Sequence, residues 1–278
     1  MPNSATLISI VTFIYGLAFV CYLAAWIFKK SLPGRLGTGV MIAAAAGNAV
    51  GFVLRWAESY QMGYGYAPLS NLYESLVFFS LAVAGIYLFV EFKYKVRTIG
   101  VFASLFAFLA IAYAALPSVD SEIQPLIPAL QSNWLIAHVI TCFLGYAAFA
   151  IACGISIMYL TKSIAGPESA SGPVARIPEL ETLDDLTHQM ITFGFLFLSI
   201  GIITGAIWAE QAWGRYWGWD PKETWSLITW LIYATLLHAR LMRGWTGRRI
   251  AYLSCVGFAA VLFTYFGVNL LPGLHSYM

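Results

Sequence analysis

Charge is scarce in this sequence. Of 278 residues, only 10% are Asp, Glu, Lys or Arg, while 60% are hydrophobic. That is too little polar surface to cover a soluble globule of this length, so a soluble fold is excluded. Strand-like alternation of apolar and polar residues is absent, which excludes a transmembrane barrel. Paired cysteines are lacking as well. The four cysteines, Cys21, Cys142, Cys153 and Cys255, form no CxxC and fall inside apolar runs. They read as small buried hydrophobes rather than redox or metal groups. No catalytic nucleophile, zinc spacing or phosphate-binding loop stands out. The formal net charge of +2 carries no signal for nucleic acid.

What the sequence does have is length in its apolar runs. Eight of them, roughly 6–28, 36–57, 70–90, 98–116, 132–161, 186–208, 221–242 and 248–270, reach the ~20 residues that cross a bilayer as a helix. The expectation is an all-α polytopic membrane protein, a single integral membrane domain over 1–278. The first run lacks a basic start and is long, so it reads as a span rather than a cleaved signal. Basic residues sort by loop. Lys29, Lys30, Arg35, Lys93, Lys95, Arg97, Lys162, Arg176, Arg240, Arg243, Arg248 and Arg249 follow spans one, three, five and seven. Only Arg55, Arg215 and Lys222 fall on the opposite side. The positive-inside rule then puts both termini outside and makes 162–185 a flexible cytoplasmic linker.

One outward loop stands apart, 208–225, between spans six and seven: WAEQAWGRYWGWDPKETW. It contains Trp208, Trp213, Trp217, Trp219 and Trp225, half of the chain's ten tryptophans, with Tyr216 among them. Interfacial anchoring accounts for one or two such rings. Five, interleaved with Gly214 and Gly218, read as a platform for a large, flat, hydrophobic ligand. Asp220, Pro221 and Glu223 spell a helix start: N-cap, first-turn proline and capping-box acid.

Other features are ambiguous at this level. The small-residue run Ala43–Gly51 suggests close helix packing. Arg55 either snorkels at the interface or pairs inside the protein. Glu74 either completes a cap after Asn71 or pairs with Arg55.

The chain has four histidines. His138 and His275 are expected on the same side as the tryptophan platform, and His188 and His238 near the other. His238 lies 18 residues past Asp220, or ~27 Å along a helix. Imidazole is a common axial ligand for haem iron, and two can clamp it from opposite faces. His138 and His275 beside the flat rings make a coherent bis-histidine haem site.

WGRYWGWDPKETW resembles the WWD motif of the haem-handling proteins of cytochrome c assembly. PLSNLYESL, PALQSNWLIAHV, FGFLFLSIGIITGAIWA and GVNLLPGLHSY resemble the CcsA/ResC family of the system II pathway in particular. The resemblance spans about two-thirds of the chain. It implies a haem-lyase (holocytochrome c synthase) role with a CcsB/ResB membrane partner. Haem b, held non-covalently in transit, would be attached to the CxxCH motif of apocytochrome c on the outer face of a bacterial cytoplasmic membrane. Thiol-reducing proteins would act upstream. It also implies residue roles: His138 and His275 as external axial ligands, His238 as a ligand inside the membrane, and Trp213, Trp217, Trp219 and Asp220 as positioning residues of the platform. Trp208, Tyr216 and Trp225 complete the expected haem-binding set. His188 matches no family histidine and reads as an interfacial residue near Asp184 and Asp185, or else as a second ligand opposite His238. The rival functions are a haem exporter or chaperone without ligation, a cytochrome b-type electron-transfer subunit, and a transporter of another aromatic substrate.

Overall fold

The computed structural model describes residues 3–166 and 172–271, and among these it is all helical. Eight long helices follow in order: α1 (Ser4–Phe28), α2 (Ser31–Gln61), α3 (Leu72–Tyr94), α4 (Gly100–Ala114), α5 (Asn133–Ala165), α6 (Leu180–Trp213), α7 (Pro221–Arg243) and α8 (Arg248–Tyr265). Six of them, α1 to α6 with the short turn before α4, are long and apolar enough to cross a membrane. α7 and α8 fall at the expected places but are less apolar. His238 and Arg240 dilute α7, and α8 opens on Arg248 and Arg249. The protein is a multi-pass helical membrane protein.

Two expected boundaries move. Residues 208–213 are the last turns of α6, so the aromatic loop shrinks to the stretch between Trp213 and Pro221. The linker at 162–185 is shortened from both ends, because α5 runs on to Ala165 and α6 starts at Leu180. The acidic residues there continue a helix. Glu181 lies in the first turn of α6, where a carboxylate complements the helix dipole.

The backbone clusters into two compact units, one holding α1–α4 and running to Ile127, the other holding α5–α8 from Pro128. Of the stretch between α5 and α6, residues 172–178 belong to the first unit. In that unit the choice left open for Arg55 is settled. Its Nε lies 2.8 Å from Glu74 Oε1, with both side chains buried. The other guanidinium nitrogens donate to the carbonyls of Ser121 and Glu122, and Glu74 Oε2 accepts from the Ser70 amide and hydroxyl. Asn71 caps α3 through the Glu74 amide. A second buried acid, Glu91, accepts from Tyr22, Tyr87, Thr38 and Arg97.

In the second unit α5 and α6 pack almost backbone to backbone. A Cβ on Gly194 would lie 2.6 Å from the Phe149 ring, and one on Gly201 would lie 2.5 Å from Cys142 Sγ. In a membrane, where apolar burial gives little drive, such close approach is what holds helices together. The Phe149 ring also stacks on Tyr233 of α7, centroids 3.6 Å apart. α7 is tied to α6 by Trp230 Nε1 donating to Ser199 Oγ at 2.8 Å and by the Arg240–Asp184 ion pair at 2.6 Å. It is tied to α8 by the Thr229–Thr264 hydroxyl pair.

Candidate haem site

His138 sits in the second turn of α5, half-buried against α6. Its Nδ1 lies 2.7 Å from the carbonyl oxygen of Gly201. A carbonyl only accepts, so the proton is on Nδ1 and Nε2 keeps its lone pair. That is the arrangement of a metal-ligating histidine, whose other nitrogen is fixed by a backbone carbonyl. Two glycines make it possible. Gly201 brings its carbonyl close, and a Cβ on Gly205 would lie 2.5 Å from His138 Nδ1. Neither Gly201 nor Gly205 was singled out from the sequence, although the spacing of small residues along α6 is legible there.

Trp208 lies beside the imidazole, ring centroids 6.0 Å apart and nearly parallel at 17°. It is buried, and its Nε1 donates to Ala129 at 2.8 Å, so it anchors the 3-10 turn before α5. The expectation that Trp208 belongs to the loop is corrected accordingly: it packs the histidine from within α6. Trp213 meets it edge-on at 4.9 Å.

The loop itself is short and held by one carboxylate. Glu223 Oε2 accepts from the Gly218 amide at 2.7 Å and the Asp220 amide at 3.1 Å. Asp220 returns the bond to the α7 amides, completing the capping box that the sequence spelled. Glu223 therefore does more than cap a helix, because it sets the backbone that carries Trp217 and Trp219. These two rings stand perpendicular, centroids 5.8 Å apart. Trp219 has φ 56°, a left-handed conformation that costs a bulky residue energy and clusters at functional sites. Trp219 is 69% exposed and Tyr216 62% exposed, a large apolar display for a loop. Arg215 packs over Gly218, where a Cβ would lie 2.6 Å from its guanidinium carbon. Trp225, in the first turns of α7, rests on Phe263 of α8 at 4.2 Å, and its carbonyl accepts from Thr264. It reads as a brace between α7 and α8.

The structure thus gathers His138, Trp208 and Trp213 into one cluster and Trp217, Trp219 and Asp220 into the adjoining loop. His238 stands on an exposed flank of α7, away from the buried face formed by Thr229, Tyr233 and Leu236. His188 is half-buried on α6, its Nδ1 out of contact with solvent and without a hydrogen-bond partner among the described residues. It borders a groove of about 630 Å³ with Thr192, Phe195 and Ser199. His275, the second external ligand expected from the sequence, lies outside the described residues.

Fold and site together define a polytopic helical membrane protein with a histidine-backed tryptophan loop. The chain matches the family described as Cytochrome C assembly protein over residues 69–275, and it belongs to that family. It is 40% identical to the cytochrome c biogenesis protein CcsA of Guillardia theta, covering 94% of this chain and 92% of that one. The CcsA of Synechococcus elongatus is also 40% identical, with 93% and 92% covered. Among solved structures, the chain is similar in fold to the cytochrome c haem lyase CcmF, with a TM-score of 0.73 at 16% identity. That match covers 99% of this chain and 48% of the CcmF chain, so this chain spans about half its length.

Proposed function

We propose that this protein presents haem to apocytochrome c and attaches it there, as a haem lyase working with a CcsB/ResB membrane partner. The observation that carries the proposal is the His138 Nδ1–Gly201 carbonyl bond, which leaves Nε2 as an iron ligand beside a tryptophan display. The family resemblance assigns His275 as the second axial ligand. Trp213, Trp217, Trp219 and Tyr216 carry the macrocycle, with Trp208 behind His138, Trp225 bracing α7, and Asp220 and Glu223 fixing the loop. Arg215 and Lys222 are the cations of this segment, suited to haem propionates.

The chemistry needs little from the protein beyond placement. Each cysteine thiol of a reduced CxxCH motif adds across one haem vinyl group. A C–S bond forms, the thiol hydrogen ends on the neighbouring vinyl carbon, and no electrons are gained or lost. Holding thiols and vinyls together converts a bimolecular step into an effectively unimolecular one. The substrate's own histidine then replaces one of the protein's axial ligands. Before this, haem b crosses the membrane non-covalently by way of His238, whose second ligand comes from the partner or from His188. The setting is a bacterial cytoplasmic membrane with the tryptophan loop facing the periplasm. The basic residues at the opposite helix ends support that orientation. Thiol-reducing proteins keep the substrate cysteines ready.

The test is haem ligation by the purified protein with its partner, given haem and a reduced CxxCH peptide. Covalent haem–peptide product, lost on His138→Ala, is the expected result. Haem binding without any product would leave an exporter or chaperone.

A further inference from the structure

We propose that a cavity at the α1–α2 junction, far in sequence from the tryptophan loop, binds a phosphate group. The cavity holds about 740 Å³ and is bordered by Trp26, Lys29, Lys30, Ser31, Arg97 and Arg176. Four cations converge on it. Like charges repel, and a shared anion offsets that repulsion.

The one local acid offsets only Arg97. Glu91, at the buried side of Arg97, takes the Arg97 Nε at 3.1 Å and is otherwise occupied by Tyr22, Tyr87 and Thr38. Among the described residues no ion pair engages Lys29, Lys30 or Arg176. Arg176 instead reaches back to the carbonyls of Trp26 and Ile27 at the end of α1, and the Trp26 indole donates to Pro173 at 2.9 Å. These contacts fasten the cavity wall.

The backbone adds to the same field. α2 begins at Ser31 with Lys30 as N-cap, no capping side chain and no acid in its first turn. Apart from Pro33, which has no N–H, the amides at the start of α2, those of Ser31 and Leu32, are donors without an intrahelical acceptor. Phosphate offers several charged oxygens to amides, ammonium and guanidinium groups together. Trp26, Ala25 and Tyr22 supply an apolar side, suited to the start of a lipid's acyl chains. Basic pockets of this kind at helix ends recognise anionic lipid headgroups. Soluble phosphate shares the chemistry.

Native mass spectrometry of the delipidated full chain with added phosphatidylglycerol tests the assignment, alongside Lys29→Gln/Lys30→Gln and, as a control, Arg243→Gln. In a second arm, inorganic phosphate is titrated in lipid-free detergent while thermal unfolding is followed. The expected result is retention of the lipid about thirtyfold weaker in the double variant, at roughly one tenfold step or less per lost charge, with the control unchanged. Should inorganic phosphate alone stabilise the wild type, and not the double variant, the ligand is soluble phosphate and the cavity assignment stands. Lipid retention and phosphate response both unaltered by the double substitution would overturn it.

Discussion

His138 Nδ1 lies 2.7 Å from the Gly201 carbonyl oxygen, and this single contact links the packing of α5 on α6 to the chemistry of the imidazole. The small residues that let the helices touch also fix which nitrogen is free. If that is the role of Gly201, enlarging it disturbs the site and the packing together. In Gly201→Ala the new methyl meets Cys142 Sγ at 2.5 Å. The expected outcome is a loss of about 1–3 kcal/mol in stability and weaker haem retention, read by thermal unfolding and by the Soret band. Gly85→Ala, where nothing lies within 4 Å of the added Cβ, serves as the control. It is expected to leave both unchanged or to gain slightly in stability.

Glu223 holds the loop through the amides of Gly218 and Asp220. Glu223→Ala frees both. Helix content is expected to persist, with about 1 kcal/mol lost as for a missing cap. Ligation yield is expected to fall by about tenfold or more, as for other groups that orient a ligand shell. Glu223→Gln keeps one acceptor oxygen and is expected to recover part of the yield. Circular dichroism and the ligation assay, run on the same preparations, separate the two effects.

Arg55 and Glu74 are a buried, fully bonded ion pair. Removing either partner leaves an uncompensated charge, expected to cost about 3–5 kcal/mol. Arg55→Met together with Glu74→Leu removes both charges and is expected to cost less than either single loss. Thermal unfolding in detergent reads the order directly.

Trp208 differs from the other tryptophans of its stretch by being buried and bonded to Ala129. Trp208→Phe keeps a ring beside His138 but loses that bond. The expected outcome is a lower Tm with the haem spectrum retained. Trp219→Ala, at an exposed ring, is expected to do the reverse: Tm unchanged, ligation reduced.

Which parts of this were legible in the sequence follows from range. Helix number and class were legible, because a bilayer imposes a length that shows as apolar runs. The cap at Asp220–Glu223 was legible, because it lies within four residues. The end of α6 was misjudged. Trp208 to Trp213 read as part of the outward platform loop, yet Ala209, Glu210, Gln211 and Ala212 favour helix, and the stop is Gly214 in the left-handed region. The Arg55–Glu74 pair was visible only as two candidates, since its partners at Ser121 and Glu122 come from a distant loop. The Glu91 cluster and the Gly201 carbonyl were invisible for the same reason. Contacts between distant segments leave no local pattern.

Haem presentation by this protein depends on His138 as an iron ligand. The most direct measurement is the absorption spectrum of the protein purified with its partner, with pyridine-haemochrome quantitation, beside His138→Ala and His138→Ala supplied with imidazole. A low-spin b-type haem is expected in the wild type. With His138 as its ligand, that haem is lost or turned high-spin by the substitution and restored when imidazole fills the place of the missing ring. A His138→Ala spectrum identical to that of the wild type would contradict ligation by His138.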